Sequence, residues 1–474
     1  MLPQQVGRHC TPRVNESKGE LEREGCQQDP EYGLPLDLMG QTVKVAAEAS
    51  ELSSSDLFYH GEMTSALTTW WRKDNLRALV PVVVVLVALI PIDIHSHYGH
   101  GDIDLYHRYA QAFVTNHSLP FEYPVLAILP FLLTLPPFGD YISVYAAMML
   151  VVFLAGYAAF YRFASARAAN VYAVYVLLGG AITSLARFDL VPALVTVAAL
   201  WAVSRRRFTL GYVLLAAGVL LKLYPLFLLP VVMIEHRRVL HFRGGGLVPT
   251  PMLRGAGIFL LTVAAGFVVA IILEPTGWWT PFVQASQRPL QVESVSATFL
   301  WLSSFVGFYA QPDHSFHSFN MVGSLARVLT ALGSVGLVAG CLFVYWRQYR
   351  GRIDVGRAFL AVICVVIVSS KVFSPQYLIW ALPLVALIED FDPIWIVISL
   401  LTTLIYPILY EVDQLHGNGT PSRYQLHFLG MIAIRNVLIL WATYRAVVPR
   451  EDRETLRVSE GESLPAARLA SGDR

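Results

Sequence analysis

The first long apolar segment of the chain, residues 76–92, reads LRALVPVVVVLVALIPI. A run of this composition is typical of a membrane-spanning helix, which needs about 20 predominantly apolar residues. Eleven further apolar runs follow, at residues 141–161, 170–186, 190–203, 209–221, 223–234, 256–273, 322–346, 357–370, 377–389, 394–409 and 428–446. The sequence therefore predicts an all-α, polytopic membrane protein with about 12 transmembrane helices.

The composition supports a membrane protein. Of the 474 residues, 55% are hydrophobic and only 15% are charged, whereas roughly one quarter of the residues in soluble domains are charged. The formal net charge of +1 offers no basic surface for nucleic acid, so we expect no nucleic-acid partner. The four cysteines, Cys10, Cys26, Cys341 and Cys364, are not spaced as a metal site or a disulfide framework.

Clusters of Lys and Arg between the apolar runs set the predicted orientation, because cytoplasmic loops carry an excess of these residues. One cluster, Arg72, Lys73 and Arg77, accompanies the first run, and others lie within 162–167, 205–207, 237–243, 347–352 and 445–450. All these clusters fall on the cytoplasmic side only when two further apolar stretches, 123–137 and 297–310, lie along the membrane interface and do not cross the membrane. Both termini are then cytoplasmic. The extracytoplasmic side receives residues 93–140, 187–189, 222–225, 274–320, 371–377 and 410–427.

Three regions follow from this pattern. Residues 1–75 are mixed in charge and lack a periodic pattern, so we expect a disordered cytoplasmic tail without a cleavable signal peptide. Residues 76–446 form the membrane domain. Residues 447–474 form a short cytoplasmic C-terminal tail.

Two acidic residues follow closely on the first apolar run, in Gly101-Asp102-Ile103-Asp104-Leu105-Tyr106. A carboxylate just beyond a membrane span meets lipid and water at once. It can take the proton of a hydroxyl group that attacks a lipid-linked substrate. From this segment alone, a solvated acidic loop is the alternative.

The polar residues on the predicted extracytoplasmic side include several cations. A phosphate leaving group needs cations that absorb its developing charge. We therefore look for one carboxylate with several Lys or Arg residues, in contrast to the paired carboxylates of glycoside hydrolases. The candidates are Arg187, Lys222, Arg288 and Lys371, together with Arg435 in the last apolar run. The alternative is local pairing or snorkelling, with Arg187 bound to Asp189 and Lys222 bound to Asp189 or Glu293.

Four histidines, His95, His97, His100 and His107, lie near the two acids and suggest a metal site. Their spacing does not match a compact His-x-x-x-His pair on a helix. A hydrated loop rich in His and Gly is the commoner explanation. The sequence thus predicts no resident cofactor, with a divalent metal as the alternative.

Five short motifs, in this order, resemble glycosyltransferase family 87. They are Asp102-Ile103-Asp104-Leu105-Tyr106, Glu122-Tyr123-Pro124, Arg187-Phe188-Asp189-Leu190-Val191-Pro192-Ala193, Lys222-Leu223-Tyr224-Pro225 and Ser374-Pro375-Gln376-Tyr377. The resemblance covers roughly residues 77–446. It implies the GT-C fold of integral-membrane enzymes, best known as polyprenyl-phosphate-mannose-dependent α-mannosyltransferases. The chain departs from the family at Val125, where a second Pro is common.

The resemblance also assigns roles to individual residues. It implies Asp102 as the catalytic base, with Asp104 as second choice. Lys222 and Arg288, which match family elements, would hold the donor phosphate together with Lys371 from the pattern of cations, and Arg435 is a further candidate from that pattern. The remaining motif residues would shape the site or bind sugar hydroxyls: Tyr106, Glu122, Tyr123, Arg187, Asp189, Tyr224, Gln291, Glu293, Gln376 and Tyr377.

The resemblance thus predicts a membrane glycosyltransferase with its site on the extracytoplasmic face. It would move a sugar, with inversion, from a polyprenyl-phosphate donor to a glycolipid or cell-envelope glycan, in contact with membrane lipids. The donor sugar is mannose, or arabinose or another pentose, and the acceptor is a glycolipid, a wall polysaccharide or a protein. A transporter or lipid flippase is the alternative, but it predicts charges near the membrane midplane, often in two related halves. A scaffold without chemistry leaves the one-sided polar residues unexplained.

Overall fold

The computed structural model describes residues 97–135, 140–242, 250–316, 318–389, 391–410 and 423–448. These residues are mostly helical and belong to one compact unit, Thr68–Arg474. The predicted first span at 76–92, the predicted tail 1–75 and residues 449–474 lie outside the described residues.

The helices of the described residues, in chain order, are α1 (His97–Asn116), α2 (Ile128–Leu133), α3 (Tyr141–Phe163), α4 (Ala166–Ala186), α5 (Leu190–Ser204), α6 (Phe208–Leu221), α7 (Leu229–Phe242), α8 (Thr250–Leu273), α9 (Thr280–Gln287), α10 (Val295–Ser303), α11 (Ala326–Tyr349), α12 (Val355–Ser369), α13 (Gln376–Ile388), α14 (Pro393–Thr403) and α15 (Arg423–Val447). Short 3-10 turns lie at Val125–Ala127, Tyr224–Leu228 and Ser304–Val306, and a π-helical segment at Leu404–Leu409.

Each apolar run after the first coincides with a helix or a pair of consecutive helical segments. Within the described ranges, four helices are long and apolar enough to cross a membrane: Tyr141–Phe163, Thr250–Leu273, Ala326–Tyr349 and Leu426–Val447. Several shorter apolar helices accompany them. The mostly helical character of the described residues is therefore confirmed, and four of their helices have the length and composition of membrane spans.

The two stretches predicted not to cross form only short helices. Helix α2 has 6 residues and α10 has 9. At about 1.5 Å per residue, neither reaches across a hydrocarbon core about 30 Å thick.

Polar residues separate consecutive apolar helices by capping their first turns. The Asp140 carboxylate accepts a hydrogen bond from the Ser143 amide at 2.7 Å, and the Ser165 hydroxyl oxygen accepts one from the Ala168 amide at 3.0 Å. Such caps satisfy amides that lack a partner within the helix. The short turn capped by Ser165 allows α3 to pack against α4, and the three-residue turn 205–207 allows α5 to pack against α6.

A small antiparallel sheet departs from the all-α prediction. Its strands are β1 (Leu290–Gln291), β2 (Ala310–Ser315) and β3 (Ser318–Gly323), in the order β1-β3-β2. The turn between β2 and β3 contains Phe316, whose φ of +53° is rare for a bulky residue. Because the turn lacks the Asn-Gly or Asp-Gly pairs that mark hairpins, the sequence carried no signal for it.

The packing brings distant parts of the chain to one place. The larger hydrophobic core contains residues of α1, of the five consecutive helices from α3 through α7, and of α12 and α13. A smaller core joins the sheet, α10, residues 405–410 and α15. The backbone N–H of Gln291 donates to the backbone carbonyl of Lys371 at 2.9 Å, so the sheet lies beside the segment between α12 and α13.

Candidate functional site

Chemistry-bearing residues gather where several helices begin or end. Asp102 lies near the start of α1 and Gln376 is the first residue of α13. Arg187 and Lys222 directly follow α4 and α6, and both have extended backbone conformations that end those helices. Arg187 and Lys222 therefore stand at the ends of apolar helices, where placing a charge costs less than at the helix centre.

Arg187 binds Asp102. Its Nη2 lies 2.5 Å from Asp102 Oδ2, and the two side chains are 14% and 26% exposed. Its Nη1 donates to the Ser374 hydroxyl at 3.2 Å and to Gln376 Oε1. The start of α13 thus aims Arg187 at one oxygen of Asp102. The other oxygen, Oδ1, has no hydrogen-bond partner among the described residues, which leaves it able to accept a proton.

Asp189 binds Lys222, so the predicted alternative of a local Arg187–Asp189 pair is wrong. Lys222 Nζ lies 2.5 Å from Asp189 Oδ1, and the Asp189 side chain is fully buried. The Trp380 indole N–H donates to the same oxygen at 2.6 Å. The rings of Phe188, Tyr123, Trp380 and Tyr377 surround the ammonium group at 5.1–5.6 Å. These contacts hold a cation inside an aromatic cage.

Glu122, in the loop after α1, has no ion-pair or hydrogen-bond partner among the described residues. Burial raises the pKa of Glu122, and Arg288 opposes this shift. Burial lowers the pKa of Lys371, and the nearby positive charge of Arg288 lowers it further. The Lys371 ammonium donates to the Ser286 carbonyl at 2.7 Å, and Arg288 reaches the Ser318 hydroxyl at 3.5 Å. Arg288 therefore stands close to the Glu122 carboxylate without binding it directly, and Lys371 lies near Arg288.

These residues form a polar cluster with one excess positive charge. Its four cations are Arg187, Lys222, Arg288 and Lys371, and its three carboxylates are Asp102, Glu122 and Asp189. All but Asp189 retain partial exposure. A partly dry cluster with an excess cation favours binding of an anion.

An apolar groove opens beside the polar cluster. The groove is lined by Leu119, Pro120, Tyr123, Pro124, Val125, Phe267, Ala270, Gly277, Trp278, Pro281 and Phe282. Tyr123 belongs both to this groove and to the aromatic cage around Lys222, and Phe267 lies on the long apolar helix α8. The groove therefore joins the polar cluster to a helix suited to contact with lipid.

Arg435, predicted as a phosphate ligand, is instead held in a buried ion pair. Its Nη1 lies 2.5 Å from Glu293 Oε2 and its Nη2 donates to the Glu293 carbonyl at 2.8 Å. Both side chains are fully buried. Tyr410 donates to the second carboxylate oxygen at 3.0 Å. The guanidinium group is thus occupied within the protein and does not face a ligand.

The other predicted residues differ in their surroundings. Asp104 is exposed and has no ion-pair partner among the described residues. The aromatic residues build the wall of the site: Tyr106 stacks on Phe131 at 4.2 Å, and Tyr224 and Tyr377 stack on Trp380 at 4.3 and 4.0 Å. Gln291 is buried beside the sheet, and its Oε1 has no partner in the described part of the chain.

The histidines do not assemble a site in the described residues. His95 and the side chains of His97 and His100 lie outside them, while the His107 ring stacks on Tyr141 at 4.3 Å. Across the described ranges, no group of three or more His, Cys, Asp or Glu side chains comes together to hold a metal ion.

Trp380 and Ser374 are site residues that the sequence analysis missed. Trp380 lies four residues after Gln376 on α13, so the two share a helix face. This spacing could have indicated Trp380 as a site residue. The contact of Ser374 with Arg187 joins residues 187 positions apart, which no local pattern indicates.

No protein-family model matches the sequence, and no curated protein matches it.

Proposed function

We propose that this chain is a membrane glycosyltransferase of the GT-C type, similar to family 87 and with about 12 spans. It moves a sugar, with inversion, from a polyprenyl-phosphate donor to a hydroxyl group of a glycolipid or cell-envelope glycan. The observation that carries the proposal is Asp102, a carboxylate bound by Arg187 on one oxygen and unbound on the other, within a cluster of excess positive charge.

In the proposed reaction, the acceptor hydroxyl oxygen attacks the anomeric carbon from the side opposite the phosphate. Asp102 Oδ1 takes the hydroxyl proton as the new bond forms. The bond from the anomeric carbon to the phosphate oxygen breaks, and its electron pair leaves with the lipid phosphate. Arg288 and Lys371 stabilise the charge that develops on that phosphate, so no strong general acid is needed.

Arg187 is the orienting group in this scheme. It holds Asp102 Oδ2 while Ser374 and Gln376 hold the guanidinium group. Because Arg187 already fixes the orientation of Asp102, less entropy is lost when the base reaches the reactive geometry. Glu122 and Tyr377 are candidates for contacts with sugar hydroxyls and the sugar ring.

The apolar groove supports a lipid-linked donor. Burial of a polyprenyl chain is favourable by about 25 cal/mol for each Å² of apolar surface removed from water. A lipid-linked donor therefore needs apolar protein surface beside the phosphate site. The groove at Tyr123 and Phe267 supplies one next to the polar cluster.

The hairpin of α5 and α6 supports an extracytoplasmic site. Helix α5 begins directly after Asp189 and ends at Arg205, and α6 begins after Arg207 and returns to Lys222. The arginine turn and the polar cluster therefore lie at opposite ends of a 15-residue helix about 22 Å long. Because arginine-rich turns favour the cytoplasm, the polar cluster belongs on the other side.

A lipid flippase is the second candidate, because the groove and the cations Arg288 and Lys371 would also hold a lipid phosphate that is carried without reaction. Flipping would not need the oriented carboxylate of Asp102.

The test is transfer of labelled mannose or arabinose from its polyprenyl phosphate to endogenous acceptors in membranes that contain the protein. We expect transfer by the unmodified protein and a loss of roughly 10²–10⁴ in rate for Asp102→Asn. Asp104→Asn is the matched control, because Asp104 is exposed and lies two residues away on the same helix. Lipid translocation without transfer would favour the flippase, and full transfer by folded Asp102→Asn would remove Asp102 as the base.

A further inference from the structure

Arg435 connects three parts of the chain that are distant in sequence. It lies on α15, and its guanidinium group binds both the carboxylate and the carbonyl of Glu293. The neighbouring Asn436 amide donates to the same Glu293 carbonyl at 3.0 Å. The guanidinium group also lies 4.3 Å from the centre of the Phe373 ring. One buried cation thus contacts two segments that are 80 residues apart.

Those two segments carry cations of the polar cluster. Residues 288–294, the first segment, begin with Arg288 and end just after Glu293. Residues 371–376, the second segment, begin with Lys371 and contain Phe373. The Gln291 amide donates to the Lys371 carbonyl at 2.9 Å, which ties the segments to each other. A change at Arg435 would therefore act on both segments at once.

The second segment also reaches the proposed base. Ser374 and Gln376 lie one and three residues after Phe373, and both accept hydrogen bonds from Arg187, which binds Asp102. The short chain segment from Phe373 to Gln376 thus links the Arg435 guanidinium group, which contacts Phe373, to Arg187 and Asp102.

We propose that Arg435 is a positioning residue, which fixes the spacing of Arg288 and Lys371 by holding the first and second segments against α15. The role assigned to these two cations rests on the proposed function. Arg435 itself is fully buried, so it would act through the two segments. A planar guanidinium group is required because it must donate to two Glu293 oxygens while its face lies against Phe373, and an ammonium group offers no such plane.

The test compares Arg435→Lys with Arg445→Lys in the full chain in nanodiscs. Arg445 lies on the same helix and binds Asp392 at 2.7 Å, but it contacts neither segment. Amide hydrogen exchange is measured on peptides that cover the two segments, and KM is measured for donor and acceptor. We expect Arg435→Lys alone to speed exchange of the Gln291 amide and to raise the donor KM by about ten- to a hundredfold, with the acceptor KM unchanged.

A purely structural role predicts a different result: a smaller amount of folded protein, with unchanged KM values and exchange that rises equally in all helices. That result would overturn the proposal. Should Arg435→Lys fail to insert, Phe373→Leu removes the ring contact without leaving an unpaired buried charge, and the same two readouts apply. If the unmodified protein transfers no sugar, the proposed function fails, while hydrogen exchange of the two segments still decides whether Arg435 positions them.

Discussion

The Lys222 ammonium group lies 2.5 Å from an oxygen of Asp189 that also accepts the Trp380 indole N–H. Asp189 is fully buried and four aromatic rings surround Lys222. Each charge therefore depends on the other for its stability in a dry environment. This relationship makes Lys222 a part of the wall that supports the site. Arg288 and Lys371 are then the cluster's cations that lack a carboxylate partner among the described residues and could meet a phosphate.

We predict that Lys222→Met strongly destabilises the protein, because it leaves the Asp189 carboxylate buried and unpaired. Breaking such a pair costs about 3–5 kcal/mol. The double variant Lys222→Met/Asp189→Asn removes both charges and keeps an oxygen acceptor for Trp380, so it should recover much of the loss and show clear non-additivity. The measurement is the apparent melting temperature in detergent. A stable Lys222→Met protein with only weakened donor use would return Lys222 to the phosphate site.

The helices could be predicted from the sequence because apolar runs are local patterns. The run predicted at 209–221 is the helix Phe208–Leu221, and the run at 141–161 is Tyr141–Phe163. Charged residues at helix ends, such as Arg187 and Lys222, were also visible as departures from apolar composition. These features need no information about distant contacts.

The pairing of those charges could not be predicted in the same way. Arg187 stands two residues from Asp189, yet it binds Asp102, and Asp189 binds Lys222. Which partner is reached depends on how α1, α4 and α6 pack, and the sequence pattern does not specify this packing. Arg435 shows the same limit: its position inside an apolar run indicated function, whereas its contact with Glu293, 142 residues away, decides its role.

We predict that Glu122→Gln stabilises the protein at high pH. Burial raises the pKa of Glu122, so the folded protein holds a proton over a pH range in which the unfolded chain has lost it. The free energy of unfolding therefore falls as pH rises through that range, and Gln removes the dependence. The apparent melting temperature of Glu122→Gln should exceed that of the unmodified protein at pH 8 and match it at pH 4.

The exposed carboxylate of Asp104 provides the control for this prediction, since Asp104→Asn should change stability at neither pH. If Glu122 binds a sugar hydroxyl, the same Glu122→Gln variant loses transfer activity while gaining stability. An equal shift in melting temperature at pH 4 and pH 8 would contradict a titration of Glu122 as the cause.

We predict that Arg288→Met and Lys371→Met each raise the donor KM by about ten- to a hundredfold, the value of one charge-assisted hydrogen bond. Because both cations would contact one phosphate, the double variant should fall short of the product of the two effects. Arg288→Lys keeps the charge and should lose less. Steady-state kinetics with donor and acceptor varied separately provide the measurement, and unchanged donor kinetics in both single variants would remove these residues from the site.

We predict that residues 116 and 206 lie on opposite sides of the membrane. Asn116 is exposed at the end of α1, the helix that carries Asp102, and Arg206 is exposed in the arginine turn between α5 and α6. With Cys10 and Cys26 replaced by Ser, and Cys341 and Cys364 buried in the fold, a membrane-impermeant thiol reagent applied to intact cells should label Asn116→Cys and spare Arg206→Cys. Both probes should react after the membrane is permeabilised. Labelling of Arg206→Cys alone in intact cells would place Asp102 on the cytoplasmic side, where a donor presented at the extracytoplasmic face could not reach it.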